Sequence, residues 1–106
     1  VLKAVDSRTG KMYEVGRTEI IKNNLNPDFV RKFLVDYFFE ERQLFKFEIY
    51  DVDSTSTLLA DHDFLGFIDC SLGELVSSTN SCLERNLQGH ALLKRGKIIV
   101  RTEEVS

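Results

Sequence analysis

Acidic residues concentrate in one segment of the chain, and their spacing suits the binding of a cation. Asp51 and Asp53 stand two residues apart, and Asp61 and Asp63 repeat this spacing further along. In an extended segment residues i and i+2 point to the same side, so each pair brings two carboxylates together. Because like charges this close repel each other, the arrangement is costly unless a cation lies between them. We therefore predict a calcium site with these four aspartates as candidate ligands.

The distribution of charge supports a cation site at this segment. The 106 residues include 14 Lys and Arg against 17 Asp and Glu, for a net charge of −3. No basic residue lies between Lys46 and Arg85, although this stretch contains all four aspartates. Such an imbalance requires either solvent or a cation. A single Asp-x-Asp would indicate a solvated acidic turn, but two pairs around a Ser/Thr loop favour calcium. The negative balance also argues against a nucleic-acid partner.

Other kinds of site fit the same residues poorly. With Asp51 as the first position, Ser56 stands where an EF-hand needs Gly, and His62 stands where it needs Glu. No cysteine or second histidine has ligand spacing to His62, so zinc is not favoured. The sequence shows neither a nucleophile with a partner base nor a glycine-rich phosphate loop. We expect a domain that is not an enzyme.

Short strands must position the acidic segment. Phe45, Phe47 and Ile49 alternate with charged residues, which predicts a half-buried strand over residues 44–50 that leads into the acidic segment. A second strand is predicted over residues 64–70, where the chain leaves that segment. The remaining predictions are strands at 1–5, 11–21, 91–94 and 97–103, a turn at 6–10, loops at 23–27 and 78–90, and strand-like propensity at the end of 29–39.

One helical signal interrupts the strands. Ser71 and Glu74 have the spacing of a capping box, which predicts a short helix over residues 71–77. Many short strands with turn signals and little helix indicate an all-β fold, an antiparallel Greek-key β-sandwich in a single domain. Two cysteines, Cys70 and Cys82, are too few for a disulfide framework and are expected to be reduced in a cytosolic protein.

Two further groups of residues are candidates for contact with a membrane. Leu58 and Leu59 lie at the tip of the polar loop, where they would either enter lipid or fold back onto the sandwich. Lys11, Arg17 and Lys22 would either attract anionic lipid or form an ordinary solvated face.

The motifs around the acidic segment resemble those of a known family. Residues 50–53 followed by 63–66 resemble the third calcium loop of a C2 domain, and the Leu-Asn-Pro sequence at 25–27 before Phe29 resembles that family's turn after its fourth strand. Among C2 domains, the chain is most similar to the first C2 domain of copines. That similarity rests on residues 16–27, 36–41, 61–66, 95–100 and 103–104.

The resemblance implies a calcium-dependent phospholipid-binding module that recruits its parent protein to anionic membranes. It implies calcium ligation by Asp51, Asp53 and one or both of Asp61 and Asp63. It also implies that the family's first strands and first calcium loop precede Val1, and that the protein is cytoplasmic and moves to the plasma membrane with calcium. The alternative is a calcium-independent domain that binds other proteins at an exposed sheet edge.

Overall fold

The computed structural model describes residues 1–6, 8–21, 29–36, 38, 42–52, 55–78, 82–89 and 96–103. Its first element is a hairpin of β1 (Leu2–Val5) and β2 (Met12–Gly16), which pair antiparallel. The turn forms because the Asp6 carbonyl accepts the Gly10 amide at 2.8 Å, and Gly10 adopts a positive φ of 71°. The predicted hairpin is confirmed, although β2 ends at Gly16 rather than continuing to residue 21.

The acidic segment connects two long strands. β3 (Leu44–Asp51) and β4 (Asp63–Ser71) pair antiparallel along their whole length, which confirms both predicted strands. β3 also pairs with β1, so the sheet order is β2-β1-β3-β4. Residues 29–36 and 38 carry no regular secondary structure, so the strand predicted by propensity at the end of 29–39 is not observed at residues 36 and 38, whereas residues 37 and 39 lie outside the described residues. The predicted loop at 23–27 lies outside the described residues.

A short helix of six residues follows β4. α1 (Leu72–Ser77) begins with the predicted capping box, in which Ser71 Oγ accepts the Glu74 amide at 3.1 Å. In return, Glu74 Oε2 accepts the Ser71 amide at 2.7 Å. Leu72 and Leu75 are the buried residues of this helix, so the cap directs its apolar side into the core.

The second sheet contains a strand that the sequence did not predict. β5 (Cys82–Asn86) pairs antiparallel with β6 (Lys97–Arg101), which confirms the last predicted strand but corrects the predicted loop at 78–90. Glu84, Arg85 and Asn86 have low or neutral strand propensity, so pairing with β6 rather than local preference forms this strand. The strand predicted at 91–94 lies outside the described residues.

The core lies between the two sheets. Leu2, Ala4 and Phe45 from the first sheet are buried with the two leucines of α1, and Leu83 and Val100 from the second sheet pack against this cluster. The fold is therefore an antiparallel β-sandwich with little helix, as predicted. Cys70 is buried and Cys82 half-buried, and both are free thiols. In the described ranges, no helix has the length and apolar character needed to cross a membrane.

Candidate functional site

Two of the predicted ligands face each other at the end of the β3–β4 pair. Asp51 is the last residue of β3, Asp63 is the first of β4, and they are Cα partners in the register. Directly opposed residues of an antiparallel pair have Cβ atoms about 5 Å apart, and like charges at such positions are destabilising. Both residues are exposed, and neither forms an ion pair with any described residue. This pair of carboxylates therefore has the charge and placement to accept a cation.

A β-bulge places Asp63 opposite Asp51. The register shifts between Ile49 and Tyr50, because Leu65 has no partner on β3. Without this shift of one residue, Asp63 would pair with Val52. The bulge is followed by Gly66, whose φ is 154°. A Cβ at Gly66 would lie 2.9 Å from the Gln88 carbonyl oxygen, so glycine is needed for the close approach of these segments.

Aromatic side chains next to the acidic pair join β3 to β4. The rings of Tyr50 and Phe64 meet edge to face with centroids 5.4 Å apart, and Phe64 stacks on Phe67 at 6.3 Å. Tyr50 Oη donates to Glu48 Oε1 at 3.1 Å. Burial, followed by the charge of Glu48, raises the pKa of Tyr50 to about 12. The phenol is therefore a fixed neutral donor next to the site.

Glu48 differs from its acidic neighbours. The sequence placed it on the polar side of β3, but the residue is only 7% exposed. Lys3 Nζ lies 2.6 Å from Glu48 Oε1, so this carboxylate is neutralised within the sheet. The ion pair with Lys3 of β1 and the hydrogen bond from the Tyr50 hydroxyl leave Glu48 unavailable as a ligand, and spacing along the chain did not specify either contact.

The other two predicted ligands are placed differently. Asp61 ends a 3-10 turn (Leu59–Asp61), and its carboxylate accepts a hydrogen bond from Ser56 Oγ. Asp61 is therefore not extended as expected, although His62 and Asp63 are, and its carboxylate is engaged inside the loop. Asp53 lies outside the described residues. Within the ranges that the structure describes, no three His, Cys, Asp or Glu side chains come close enough to hold a metal.

The loop between β3 and β4 is held by its own hydrogen bonds. Ser56 Oγ also accepts the Leu58 amide at 3.1 Å, and His62 Nε2 lies 2.8 Å from the Ser56 carbonyl oxygen. Leu58 is 65% exposed, whereas Leu59 is half-buried. Of the two predicted membrane contacts, Leu58 projects into solvent and Leu59 packs partly against the protein.

The structure describes two of the three residues of the predicted basic patch, and they lie at opposite ends of β2. Lys11 precedes β2 and Arg17 follows it, so the strand separates them, and Lys22 lies outside the described residues. Arg17 is paired with Glu14, whose carboxylate oxygens lie 2.9 Å from Nε and 3.0 Å from Nη2. This hydrogen bond lowers the pKa of Glu14. Arg17 Nη1 donates to the Thr57 carbonyl at 2.7 Å, which joins β2 to the acidic loop.

Comparison with known proteins identifies the architecture around this site. The C2 domain family profile matches residues 5–87 of the chain. Over 66 residues, the chain is 56% identical to "Nicotinic receptor-associated protein 1" of Caenorhabditis elegans and to the protein of the same name in Caenorhabditis briggsae. These matches cover 60% of this chain and 10% of each relative. The chain therefore belongs to the C2 domain family.

Proposed function

We propose that this C2 domain is a non-catalytic module that binds anionic phospholipid in the presence of calcium and brings its parent protein to membranes. The observation that carries the proposal is the opposition of Asp51 and Asp63 at the loop end of β3 and β4. Two exposed carboxylates stand at directly opposed positions with no cationic partner among the described residues. Their repulsion would be relieved by a bound cation.

The residues at this end fit calcium. Asp51 and Asp63, with Asp53 two residues along the same segment as Asp51, offer carboxylate oxygens, which are the ligands that calcium prefers. Bound calcium would supply positive charge that phosphate oxygens of a lipid headgroup can approach. Without a cation, the same carboxylates repel an anionic membrane. The acidic pair therefore makes membrane affinity conditional on calcium.

Leu58 supplies the apolar part of the proposed contact. Its side chain is 65% exposed, and its carbonyl accepts the Asp61 amide at 3.1 Å, so it belongs to the loop that carries the acidic residues. Full burial of a leucine side chain in an apolar environment contributes about 1.5–3 kcal/mol. Calcium binding by the aspartates and insertion of Leu58 into lipid would thus both occur at the same loop.

Within the C2 family, we place the chain with the copines. This finer assignment is supported by the motifs at 16–27, 36–41 and 61–66. The two nematode relatives are named as receptor-associated proteins, which agrees with a domain that acts at a membrane surface. On this proposal the parent protein is cytoplasmic and moves to the plasma membrane when calcium rises.

Vesicle sedimentation tests the proposed function. The chain is mixed with vesicles of phosphatidylserine and phosphatidylcholine, with calcium or with chelator, and the bound fraction is measured. We expect binding only with calcium, and loss of binding in Asp63→Asn. Asp61→Asn is the matched control, because the asparagine amide oxygen still accepts from Ser56 Oγ and the opposed pair is intact. Equal sedimentation in calcium and chelator would refute the proposal.

A second function is favoured by one observation on β2. In the described sheet this strand lies at the edge, where it exposes Met12 and Tyr13. An edge strand can pair with a strand of another protein. If the chain fails to bind vesicles in calcium but pairs with a partner protein equally in calcium and chelator, the calcium-independent interaction domain is the better assignment.

A further inference from the structure

A guanidinium group connects the edge strand to the loop that carries Leu58. Arg17 directly follows β2. The C-terminal ends of β2 and β3 lie at the same end of the sheet, and the acidic loop begins where β3 ends. From there, Arg17 Nη1 donates to the carbonyl of Thr57, 40 residues away in sequence, at 2.7 Å. Thr57 directly precedes Leu58, so this bond restrains the backbone from which the exposed leucine projects.

Glu14 fixes the orientation of the same guanidinium. Its two carboxylate oxygens accept from Nε and Nη2, at 2.9 and 3.0 Å. A bidentate contact of this kind sets the plane of the guanidinium as well as its position. Because Nη1 lies in that plane, its direction toward the Thr57 carbonyl follows from the contact with Glu14.

We propose that Arg17 is a positioning residue for membrane docking, which holds the loop so that Leu58 is presented at the acidic end before lipid is met. This inference rests on the proposed function and adds to it a residue that orders the loop before lipid binds. A loop that is already ordered loses less conformational freedom on binding, and this lowers the dissociation constant. The role differs from that predicted for Arg17 by the sequence, since the guanidinium is already paired with Glu14 and bonded to the loop.

The first measurement uses no lipid and no calcium. Amide hydrogen exchange is followed at Asp61 and His62, whose amides donate to the Leu58 and Leu59 carbonyls at 3.1 Å. We expect faster exchange in Arg17→Lys, because lysine cannot bind Glu14 and the Thr57 carbonyl in this planar arrangement. Arg8→Lys, on the exposed turn at the other end of β2, is the control and should leave exchange unchanged. Unchanged exchange in Arg17→Lys would overturn the proposal without bearing on calcium-dependent binding.

Glu14→Gln separates positioning from charge. This variant removes a negative charge, so a purely electrostatic contact with anionic vesicles would strengthen. If Glu14 orients Arg17, vesicle binding should weaken by about 2- to 10-fold instead, the range expected from ordering one loop segment. Glu103→Gln is the control, because it removes the same charge from a side chain that is 76% exposed. Stronger binding by Glu14→Gln, equal to that of Glu103→Gln, would contradict the inference.

A double-mutant cycle identifies the residue through which Arg17 acts. In a chain that already carries Leu58→Ser, Arg17→Lys should have little further effect on vesicle binding, whereas in the wild-type chain it should weaken binding 2- to 10-fold. Melting temperature is measured for every variant and should change little, since Arg17 and Glu14 lie at the surface. Equal effects of Arg17→Lys in both backgrounds would show that Arg17 does not act through Leu58. If exchange rises in Arg17→Lys while the wild-type chain binds no vesicles, the proposed function fails and this inference fails with it.

Discussion

The two ends of the β3–β4 pair use carboxylates in opposite ways. At one end Leu44 pairs with Ser71, and the chain continues into α1. There the Glu74 carboxylate accepts the Ser71 amide at 2.7 Å and lies 2.9 Å from Arg85 Nη2. At the other end, Asp51 faces Asp63 with no cationic partner among the described residues. A carboxylate that accepts hydrogen bonds from other groups of the protein stabilises the fold, whereas a carboxylate that faces a second carboxylate is available to a ligand.

The same contrast occurs within a single strand. Glu48 and Asp51 are three residues apart on β3, but Glu48 is buried against Lys3 and Tyr50 while Asp51 is exposed. Proximity in sequence therefore does not make a carboxylate part of the site. What distinguishes Asp51 and Asp63 is that neither forms an ion pair with a residue that the structure describes, and only the pairing of the strands shows that they face each other.

The largest effect is expected from removing the acidic end. Asp51→Asn with Asp53→Asn should weaken calcium binding by about 100-fold or more, because ligand charge is a main determinant of calcium affinity. Stability in chelator should stay equal or rise, since two repelling charges are lost. Isothermal titration calorimetry and thermal melting measure both effects. Asp36→Asn with Asp69→Asn removes the same charge elsewhere and should leave calcium binding intact. A sharp fall in melting temperature in chelator would show that the carboxylates are structural.

The apolar residues of the loop should affect lipid binding alone. Leu58→Ser with Leu59→Ser should weaken binding to calcium-loaded vesicles by about 10- to 100-fold, the equivalent of burying one leucine. Calcium affinity without lipid should change little. Of the single variants, Leu58→Ser should have the larger effect, because Leu58 is the more exposed side chain. Vesicle affinity equal to that of the wild-type chain would mean that the loop tip stays outside the bilayer.

At the α1 end, the expected effect is on stability. Ser71→Ala removes the side chain that accepts the Glu74 amide, and loss of such a cap costs about 1 kcal/mol of the free energy of unfolding. For a domain of this size, that corresponds to a fall in melting temperature of about 4–8 °C. Calcium affinity should not change, because the cap lies at the far end of β4. Weaker calcium binding in this variant would show that the two ends are coupled.

The smallest effect concerns pH at the same end. The Ser71 amide, followed by Arg85, lowers the pKa of Glu74 below its ordinary value of 4.5. A lowered pKa in the folded state means that the ionised form stabilises the fold at pH values above 4.5, and that this contribution is lost as the pH falls through the lowered value. The wild-type chain should thus exceed Glu74→Gln in stability at neutral pH, and the difference should shrink in acid. Chemical denaturation across this pH range measures it, and a constant difference would contradict the assignment.

Local patterns predicted much of this fold. The Asp6–Gly10 turn, the strand at 44–50 and the capping box at Ser71 each depend on residues within a few positions of one another, and each is confirmed, although the burial of Glu48 breaks the predicted alternation of β3. β5 was not predicted because it depends on residues distant in sequence: its polar residues form a strand only by pairing with β6. At residues 36 and 38, which the structure describes, strand propensity was misleading, because propensity alone does not make a ladder.

For the candidate site, the sequence by itself determined which residues are acidic, that they flank a loop after a strong strand, and that apolar residues lie at the loop tip. Tertiary structure decided which of them act together. The bulge at Leu65 places Asp63 opposite Asp51, Ser56 engages Asp61, and Arg17 restrains the loop from β2. Register and long-range hydrogen bonds depend on groups brought together by folding, so spacing along the chain could not have specified them.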